Sequence, residues 1–560
     1  STAVGYAALQ LQNYSTATVS NNTAVGYGAG GAVTTGTSNT LIGSEAGDSL
    51  TTGAANVALG TSALGADTLG QHNVAIGYQA LDAQNFSTTT NAYNVAVGSA
   101  AGGAVTTGVQ NTLIGGLAGD ALTTAESNVA VGTGALGSET QGSRNVAIGE
   151  NALLTQNNTT ATSPYNVAVG YHAGKAVTTG EENTIFGSFA ADVLTTGIRN
   201  TALGLGALGS DTKGNRSTAI GYAALNAQNF TTSTDVFNTA VGVNAGIAVT
   251  TGIQNTLIGG AAGDALTDAD NNTALGYLAL SAETNNNGNT AIGSEALKVQ
   301  NASSGGDARN TAVGFLAGAA VSTGTQNTFV GARAGDGTDD GANNVAVGYE
   351  SLSANCGNTN SAVGYVALQA CTGTDSTAIG AAAGLDAQAV INCTFIGHDA
   401  GRTGSPGGSI VNNSNILVVG DGSVSACHIQ TDWTVASDQR DKTDFTALDI
   451  GLDFVKALNP VTYKWDKRSK YGDKKADDYD LDAQTPDGTH KEDWLDVGFK
   501  AQEVEVLEKA AGYKIADKTN LVTSLSDDGK QYGMQYNKFV PILVKAIQEL
   551  SAKNDALEAR

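Results

Sequence analysis

The residues NTAVG (22–26) return as NTLIG (39–43), NVALG (56–60) and NVAIG (73–77), so one pentapeptide recurs every 17 residues. With small variations the pattern supplies 23 motif glycines, the last of them Gly397. A fixed period below about 50 residues indicates a solenoid, because each unit buries its apolar face by stacking on its neighbours. Seventeen residues cannot hold a helix pair. The apolar runs are short and bounded by Gly, Asn and Thr, which predicts brief strands joined by tight turns.

A longer period overlies the first. As far as Gly314, every fourth step is 21 residues instead of 17, which gives a superperiod of 72 residues. Gln-Asn pairs open the longer steps, and the sequence AVTTG recurs with the same period. We therefore expect a loop of four extra residues to project once per four coils.

The alternation of a strand places the Val and Ile of NVAIG on one side and the intervening Ala on the other. We expect Val and Ile to face the interior and Ala to form a smooth outer face. A second small residue (Ala63, Ala80, Ala135, Ala152) marks another close approach of coils or subunits. The glycine fits a positive φ or a close backbone approach. The Asn fits either a ladder of stacked amides or a cap of the preceding turn, and the turn is the preferred interpretation.

The repeat, with its following small residue, resembles the head repeats of trimeric autotransporter adhesins over residues 1–401. Those heads are left-handed parallel β-rolls whose three chains pack around an axis. The resemblance implies a mainly β fold in which a long parallel β-solenoid forms the shaft of a homotrimer. The steps of 17 and 21 residues are longer than the spacing usual in that family.

Composition and charge separate two regions. Residues 1–436 carry 9 Lys and Arg against 28 Asp and Glu (net −19), and residues 437–560 carry 19 against 24 (net −5). The negative net charge of residues 1–436 argues against binding of nucleic acid by the shaft. Stretches of about 18 apolar residues are absent from the sequence, as is a basic-then-apolar N-terminus, so we expect neither a membrane span nor a signal peptide.

The sequence predicts no metal site and no cofactor. The four cysteines (Cys356, Cys371, Cys393, Cys427) form no C-x-x-C pair and have no His-rich partner cluster. Cys356 and Cys371 fall at similar phases of successive coils, which leaves a disulfide and buried free thiols both open. The acidic segment DGTDDGANN (336–344) fits a calcium site or a solvated turn, and the turn is preferred.

After Gly401 the repeat gives way to a transition region, residues 402–436, which contains a short apolar strand at ILVVG (416–420). Four later segments resemble the self-cleaving intramolecular chaperone domain of phage tail fibres and endosialidase tail spikes. They are ASDQRDKTDF (436–445), ALNPVTYKWD (457–466), VGFKAQEVE (497–505) and YNKFVPILVKAIQEL (536–550). The resemblance implies an α/β chaperone domain over residues 437–539.

In that family the chaperone trimerises, assists folding of the preceding fibre and is released by cleavage before a serine. The matching bond is Ala436–Ser437, and the activity implied is a single-turnover serine autoprotease. The resemblance implies Ser437 as the nucleophile, Lys442 as its general base, and Asp438 and Arg440 as supporting residues. Asp441 departs from the apolar residue usual there. The alternative is that Ser437 and Asp438 merely cap a turn or helix.

The chain ends in a predicted coiled-coil helix over residues 540–560. Its apolar residues follow alternating steps of three and four, as a and d positions do. An ordinary amphipathic surface helix is the alternative. The predicted seam consists of Val540, Leu543, Ile547, Leu550, Asn554 and Leu557.

These features predict a tail-fibre protein, an extracellular part of the virion, that attaches to a glycan or protein receptor on the host cell. Because Ser1 already lies inside a repeat, we expect a further upstream segment that would join other tail proteins. A trimeric adhesin on a bacterial surface is one alternative. A polysaccharide-degrading tail spike is the other, for which Asp48, Asp120, Asp192 and Asp264 offer carboxylates, although their 72-residue spacing favours a structural role.

Overall fold

The computed structural model describes residues 1–302, 305–430, 434–473 and 478–560. The chain divides into two compact units, Ser1–Thr325 and Gln326–Arg560. Both units contain coils of a parallel β-solenoid, and the second also contains the mixed α/β region. The prediction of a mainly β fold built on a long solenoid is confirmed.

In the first unit each coil contributes one strand of three residues, paired in parallel with the strand of the next coil. The register stacks like on like, since Val57 pairs with Val74 and Ala58 with Ala75. The strands are Thr2–Val4, Thr23–Val25, Thr40–Ile42, Val57–Leu59, Val74–Ile76, Val95–Val97, Thr112–Ile114, Val129–Val131, Val146–Ile148, Val167–Val169, Thr184–Phe186, Thr201–Leu203, Thr218–Ile220, Thr239–Val241, Thr256–Ile258, Thr273–Leu275, Thr290–Ile292 and Thr311–Val313.

The two faces of these strands are the reverse of the expected ones. The middle residue of the strand, such as Ala24 or Ala58, is fully buried, whereas the residues that follow these two, Val25 and Leu59, are 37 % and 43 % exposed. The prediction that Val and Ile line the interior is therefore wrong. A leucine from the turn that follows the strand, such as Leu64, already fills the narrow interior, so an Ala suffices at the strand centre.

The motif asparagines form the ladder of amides and not the preferred turn cap. Asn56 donates its backbone N–H to Asn39 Oδ1 (3.0 Å), and Asn73 donates to Asn56 Oδ1 (2.9 Å). The Asn56 side-chain amide also donates to the carbonyl of Gly70 in the next coil (2.9 Å). Because these partners lie in neighbouring coils, each buried amide joins three coils by hydrogen bonds.

The motif glycines meet both predicted requirements. Gly204 has a φ of +134°, and a Cβ placed there would collide with the carbonyl oxygen of Gly221 in the next coil. The second small residue is also buried, as Ala63 and Ala80 show with no exposed surface. Close approach of successive coils therefore explains both positions within a single chain.

The longer coils hold their extra residues in an exposed loop, as expected. In the longer coil between Gly77 and Gly98, residues 87–89 are exposed. A buried carboxylate fixes the base of the loop: Asp67 accepts hydrogen bonds from the Gly70 N–H (3.0 Å) and from Gln84 Nε2 (2.8 Å). Burial raises the pKa of the Asp67 carboxyl. Short parallel pairs accompany the loops: Gly70–Gln71 with Thr90–Asn91, Gly214–Asn215 with Thr234–Asp235, and Asn286–Asn287 with Gly306–Asp307.

The second unit begins with six further coil strands and continues into the mixed region. Its coil strands are Thr328–Val330, Val345–Val347, Ser361–Val363, Thr377–Ile379, Thr394–Ile396 and Leu417–Val419. The last of these is the apolar strand predicted in the transition region, and it pairs in parallel with Thr394–Ile396. Cys356 and Cys371 are buried free thiols, not a disulfide. The acidic segment 336–344 forms turns and bends between two of these strands.

Three helices characterise the C-terminal region: α1 (Leu452–Ala457), α2 (Ala501–Ala510) and α3 (Phe539–Glu558). Two antiparallel pairs accompany them, Val461–Tyr463 with Asp496–Gly498 and Thr523–Leu525 with Tyr532–Met534. Short 3₁₀ turns lie at Gln439–Asp441, Arg468–Lys470, Leu481–Ala483 and Tyr536–Lys538. The core of the region consists of Ile450, Phe454, Val504, Val522, Phe539 and Ile542.

Helix α1 packs on α3, and Glu549 of α3 accepts a hydrogen bond from the Leu452 N–H at the start of α1 (2.8 Å). Across the described residues, none of the helices has both the length and the apolar character needed to cross a bilayer.

Candidate active site

A single 3₁₀ turn brings the predicted catalytic residues together. Asp438 caps the turn Gln439–Asp441 by accepting the backbone N–H of Arg440 at Oδ1 (2.9 Å), and Lys442 ends it by donating its N–H to the Gln439 carbonyl. Ser437 therefore lies immediately before the turn and Lys442 immediately after it. One tight turn returns the chain far enough for two side chains five residues apart to meet.

The lysine and the serine are in direct contact. Lys442 Nζ lies 2.5 Å from Ser437 Oγ, as a hydrogen-bond donor, and 3.4 Å from the Ser437 carbonyl oxygen. The same contact reverses its polarity when the amine is neutral, because an unprotonated nitrogen accepts the hydroxyl proton. A nucleophile within hydrogen-bond distance of a base is the geometry that hydroxyl activation requires.

Asp438 and Arg440 form an ion pair beside this contact. Arg440 donates to Asp438 from Nη2 (2.6 Å) and from Nε (3.1 Å to Oδ1). These hydrogen bonds from the guanidinium lower the pKa of the Asp438 carboxyl. The aspartate is thus held ionised as both the cap of the turn and the partner of Arg440. The capping role offered as an alternative applies to Asp438 and coexists with the Ser437–Lys442 contact.

The contact is open to solvent. Ala436, Ser437 and Lys442 are all exposed in the single chain. A lysine serves as a base only after losing its proton, and burial is what favours a neutral amine. In the single chain Lys442 and Ser437 are therefore in contact while both remain exposed.

The predicted seam of α3 occupies one exposed face of that helix. Val540, Ile547 and Leu557 are 59 %, 66 % and 68 % exposed, whereas Ile542 and Ala546 face the core. Asn554 is exposed and donates to Glu558 one turn later (3.2 Å). The two faces separate by helical phase, so one side of α3 stabilises its own chain and the other remains exposed. Leu543 and Leu550 lie on the same exposed side, at 42 % and 55 %.

Sequence reasoning missed one constellation. His398, Asp399 and Asp421 place a ring nitrogen and two carboxylate oxygens within 4.8 Å of one another. More than twenty residues separate the third residue from the first two, so no metal-binding spacing appears in the sequence. The three residues come together because the strands Thr394–Ile396 and Leu417–Val419, which precede them, pair in parallel. That pairing is seen in the structure.

Comparison with known proteins supports the C-terminal assignment. Residues 437–513 match the family model described as the chaperone of endosialidase. Neither the curated proteins nor the solved structures gave a match to the chain. The matched region begins at Ser437 and includes Asp438, Arg440 and Lys442. The chain therefore carries an endosialidase-type chaperone domain behind a parallel β-solenoid, which is the organisation of phage tail-fibre and tail-spike proteins.

Proposed function

We propose that the protein is a phage tail-fibre protein for attachment to the host cell, whose C-terminal domain drives trimeric folding and is then released by autocleavage between Ala436 and Ser437. The observation that carries this proposal is the 2.5 Å contact between Lys442 Nζ and Ser437 Oγ at the first residue of the chaperone domain. The exposed loops of the long coils are candidates for contacts with a glycan or protein receptor. Other tail proteins of the virion are further partners expected of such a fibre.

Two exposed apolar surfaces support the trimeric part of the proposal. One is the outward face of the solenoid strands, where Leu203 and Leu275 are 42 % and 45 % exposed. The other is the exposed seam of α3, in which Ile547 is 66 % exposed. Contiguous exposed apolar surface is characteristic of an interface. Two further copies of the chain would cover both surfaces.

Cleavage follows from the contact once the lysine is neutral. Lys442 Nζ takes the proton of the Ser437 hydroxyl while Oγ adds to the carbonyl carbon of Ala436. The peptide C–N bond then breaks, the nitrogen gains a proton, and water hydrolyses the resulting ester. The products are a carboxylate at Ala436 and a new amino terminus at Ser437. Because Lys442 is exposed in the single chain, burial by neighbouring copies would couple cleavage to completed assembly.

The test is expression of the full chain beside Ser437→Ala and Lys442→Met. The wild type is expected to yield fragments of 436 and 124 residues, and both variants an intact chain of 560 residues that still trimerises. Thr434→Ala is the matched control, since it removes a nearby hydroxyl outside the dyad and should cleave normally. Mass spectrometry and light scattering supply the readouts. An uncleaved wild type, or cleavage that survives Ser437→Ala, contradicts the proposal.

The aspartates at the 72-residue phase lend no support to the polysaccharide-degrading alternative. Asp48 and Asp120 are separated by four coils, or roughly 19 Å at about 4.8 Å per strand. A glycosidase needs its two carboxyl groups within about 5–9.5 Å. Burial raises the pKa of both carboxyl groups, which fits a structural position half-buried at a coil corner.

A further inference from the structure

Two consecutive coils of the second unit bring three metal-ligating side chains together just beyond their strands. His398 and Asp399 follow the strand Thr394–Ile396, and Asp421 follows Leu417–Val419. His398 Nδ1 lies 3.2 Å from Asp399 Oδ2 and 4.0 Å from Asp421 Oδ2. Parallel pairing of the two strands stacks the residues that follow them, so the convergence is a product of the solenoid itself.

The protein already orients both carboxylates through their other oxygens. Arg402 Nη1 donates to Asp399 Oδ1 (2.8 Å), and the backbone N–H of Ser423 donates to Asp421 Oδ1 (2.8 Å). The carboxylate side chains are only 14 % exposed. Each Oδ2 is thus directed at the same ring nitrogen. Partners of this outer kind hold metal ligands in position and are a common part of metal centres.

Hydrogen bonding alone leaves this arrangement incomplete. The Nδ1 atom of His398 carries at most one proton, so it can donate to Asp399 or to Asp421 but not fully to both. Two carboxylates that converge in a partly buried place also repel each other. Arg402 already pairs with Asp399, whereas a divalent cation would accept a lone pair from all three ligand atoms and also offset the charge of Asp421.

We propose that His398, Asp399 and Asp421 form a binding site for a divalent transition-metal ion, for which Zn²⁺ is the best candidate. Zinc binds His nitrogen and Asp oxygen at about 2.0–2.2 Å in tetrahedral geometry, which sets ligand atoms roughly 3.3–3.5 Å apart. The 3.2 Å separation fits this geometry, and the 4.0 Å separation needs a small rotation of the exposed His398 side chain. Water would take the fourth position. Calcium is disfavoured, since it prefers six to eight oxygen ligands.

The site would act as a clip on the end of the solenoid. Asp399 and Asp421 bracket the Gly-, Ser- and Asn-rich segment 404–415, and a bound ion would join the coil before this segment to the coil after it. Joining the two coils in this way would stabilise the folded chain, because the site exists only when the coils are paired. The three ligands precede the Ala436–Ser437 bond in the chain, so the bound ion would join the two coils whether or not cleavage occurs.

Isothermal titration of the full chain with ZnCl₂, after treatment with EDTA and dialysis, tests the site. We expect one Zn²⁺ per chain in the wild type, binding at least tenfold weaker in Asp421→Asn and in His398→Gln, and no competition by excess CaCl₂. His428→Gln is the matched control, because it removes another exposed histidine outside the cluster and should bind as the wild type does. Loading with Co²⁺ should give the visible absorption of a tetrahedral site in the wild type and in His428→Gln, and not in Asp421→Asn or His398→Gln.

Equal zinc binding in the wild type and in His398→Gln, or none in either, overturns the proposal and leaves the cluster as an ion pair only. His398→Gln decides the matter if Asp421→Asn fails to fold, because the His398 side chain is 68 % exposed. The result is separable from the proposed autocleavage. Ser437→Ala should abolish cleavage and retain zinc binding, whereas His398→Gln should do the opposite.

Discussion

The solenoid and the chaperone region are stabilised in opposite ways. In the solenoid, small side chains and backbone groups repeat the same contacts from coil to coil, with Ala58 and Ala75 stacked in register and Asn56 bonded to the coils on either side. In the chaperone region, large side chains such as Phe454 and Phe539 meet once, in a single cluster. The stability of the solenoid is therefore a sum of contacts between neighbouring coils, whereas the chaperone region is stabilised by one cooperative core.

The difference indicates an order of folding. A coil gains its hydrogen bonds only when the next coil is present, so a lone coil has little to hold it. The chaperone region has its own hydrophobic core, whose buried residues all lie between Ile450 and Ile542. We therefore expect this region to fold first and to hold three chains together while their solenoids form. Substitutions in the two regions should therefore have different effects: local unravelling of coils in the solenoid, and loss of the core or of the trimer in the chaperone region.

The largest effect is expected from Gly204→Ala in the solenoid. The φ of +134° is strained for alanine, and the added Cβ would collide with the Gly221 carbonyl of the next coil, so we expect a loss of roughly 3–5 kcal/mol and local unravelling. Limited proteolysis and mass spectrometry should reveal new cuts near residue 204 while the fragment beginning at Ser437 stays resistant. Gly306→Ala is the control, because nothing lies within 4 Å of a Cβ there. Equal behaviour of the two variants would refute the close-packing account.

The next effect concerns the two faces of α3. Ile542→Ala empties a site that is 2 % exposed and should lower the free energy of unfolding of the chaperone region by about 3 kcal/mol. Ile547→Ala alters the exposed seam, so it should leave the unfolding of a single chain nearly unchanged and weaken the trimer instead. Denaturant unfolding and sedimentation velocity separate the two results. A trimer unaffected by Ile547→Ala would favour the plain surface helix.

The periodicity of 17 and 72 residues was enough to predict the solenoid, its short strands, its glycines and its projecting loops. Periodicity could not tell which side of the strand faces inward, since alternation assigns Val25 and Ala24 to opposite faces without saying which is inside. The choice depended on leucines such as Leu64 that reach the interior from the turns. The Ser437–Lys442 contact was predicted through family resemblance. The approach of His398 to Asp421 depended on coil pairing, which local sequence does not encode.

A smaller loss is expected when one step of the amide ladder is removed. Asn111→Ala deletes the acceptor of the Asn128 N–H (3.0 Å) and the donor to the Ala125 carbonyl (2.9 Å), both buried. Buried groups left without partners cost about 1–3 kcal/mol each, so we expect a net loss of about 2 kcal/mol. The exposed Thr107→Ala should change the unfolding free energy by less than about 0.5 kcal/mol. If both variants melt alike, the ladder contributes little to stability.

The smallest effect is expected from chemical labelling of the cysteines, which leaves the fold intact. The reactivity of the thiols measures how tightly the coils of the solenoid pack. Burial raises the pKa of the Cys371 thiol to about 11, and burial likewise raises that of Cys356. Cys393 is buried as well, and a reagent must reach the thiol to react with it. A disulfide reagent at about pH 8 should therefore label the exposed Cys427 alone. Denaturant should expose all four thiols, and Cys427→Ser should abolish labelling of the folded chain. A second thiol that reacts in the folded wild type would mean that the coils around Cys371 open readily, and the solenoid would then lack the tight coil-to-coil packing that distinguishes it from the chaperone region.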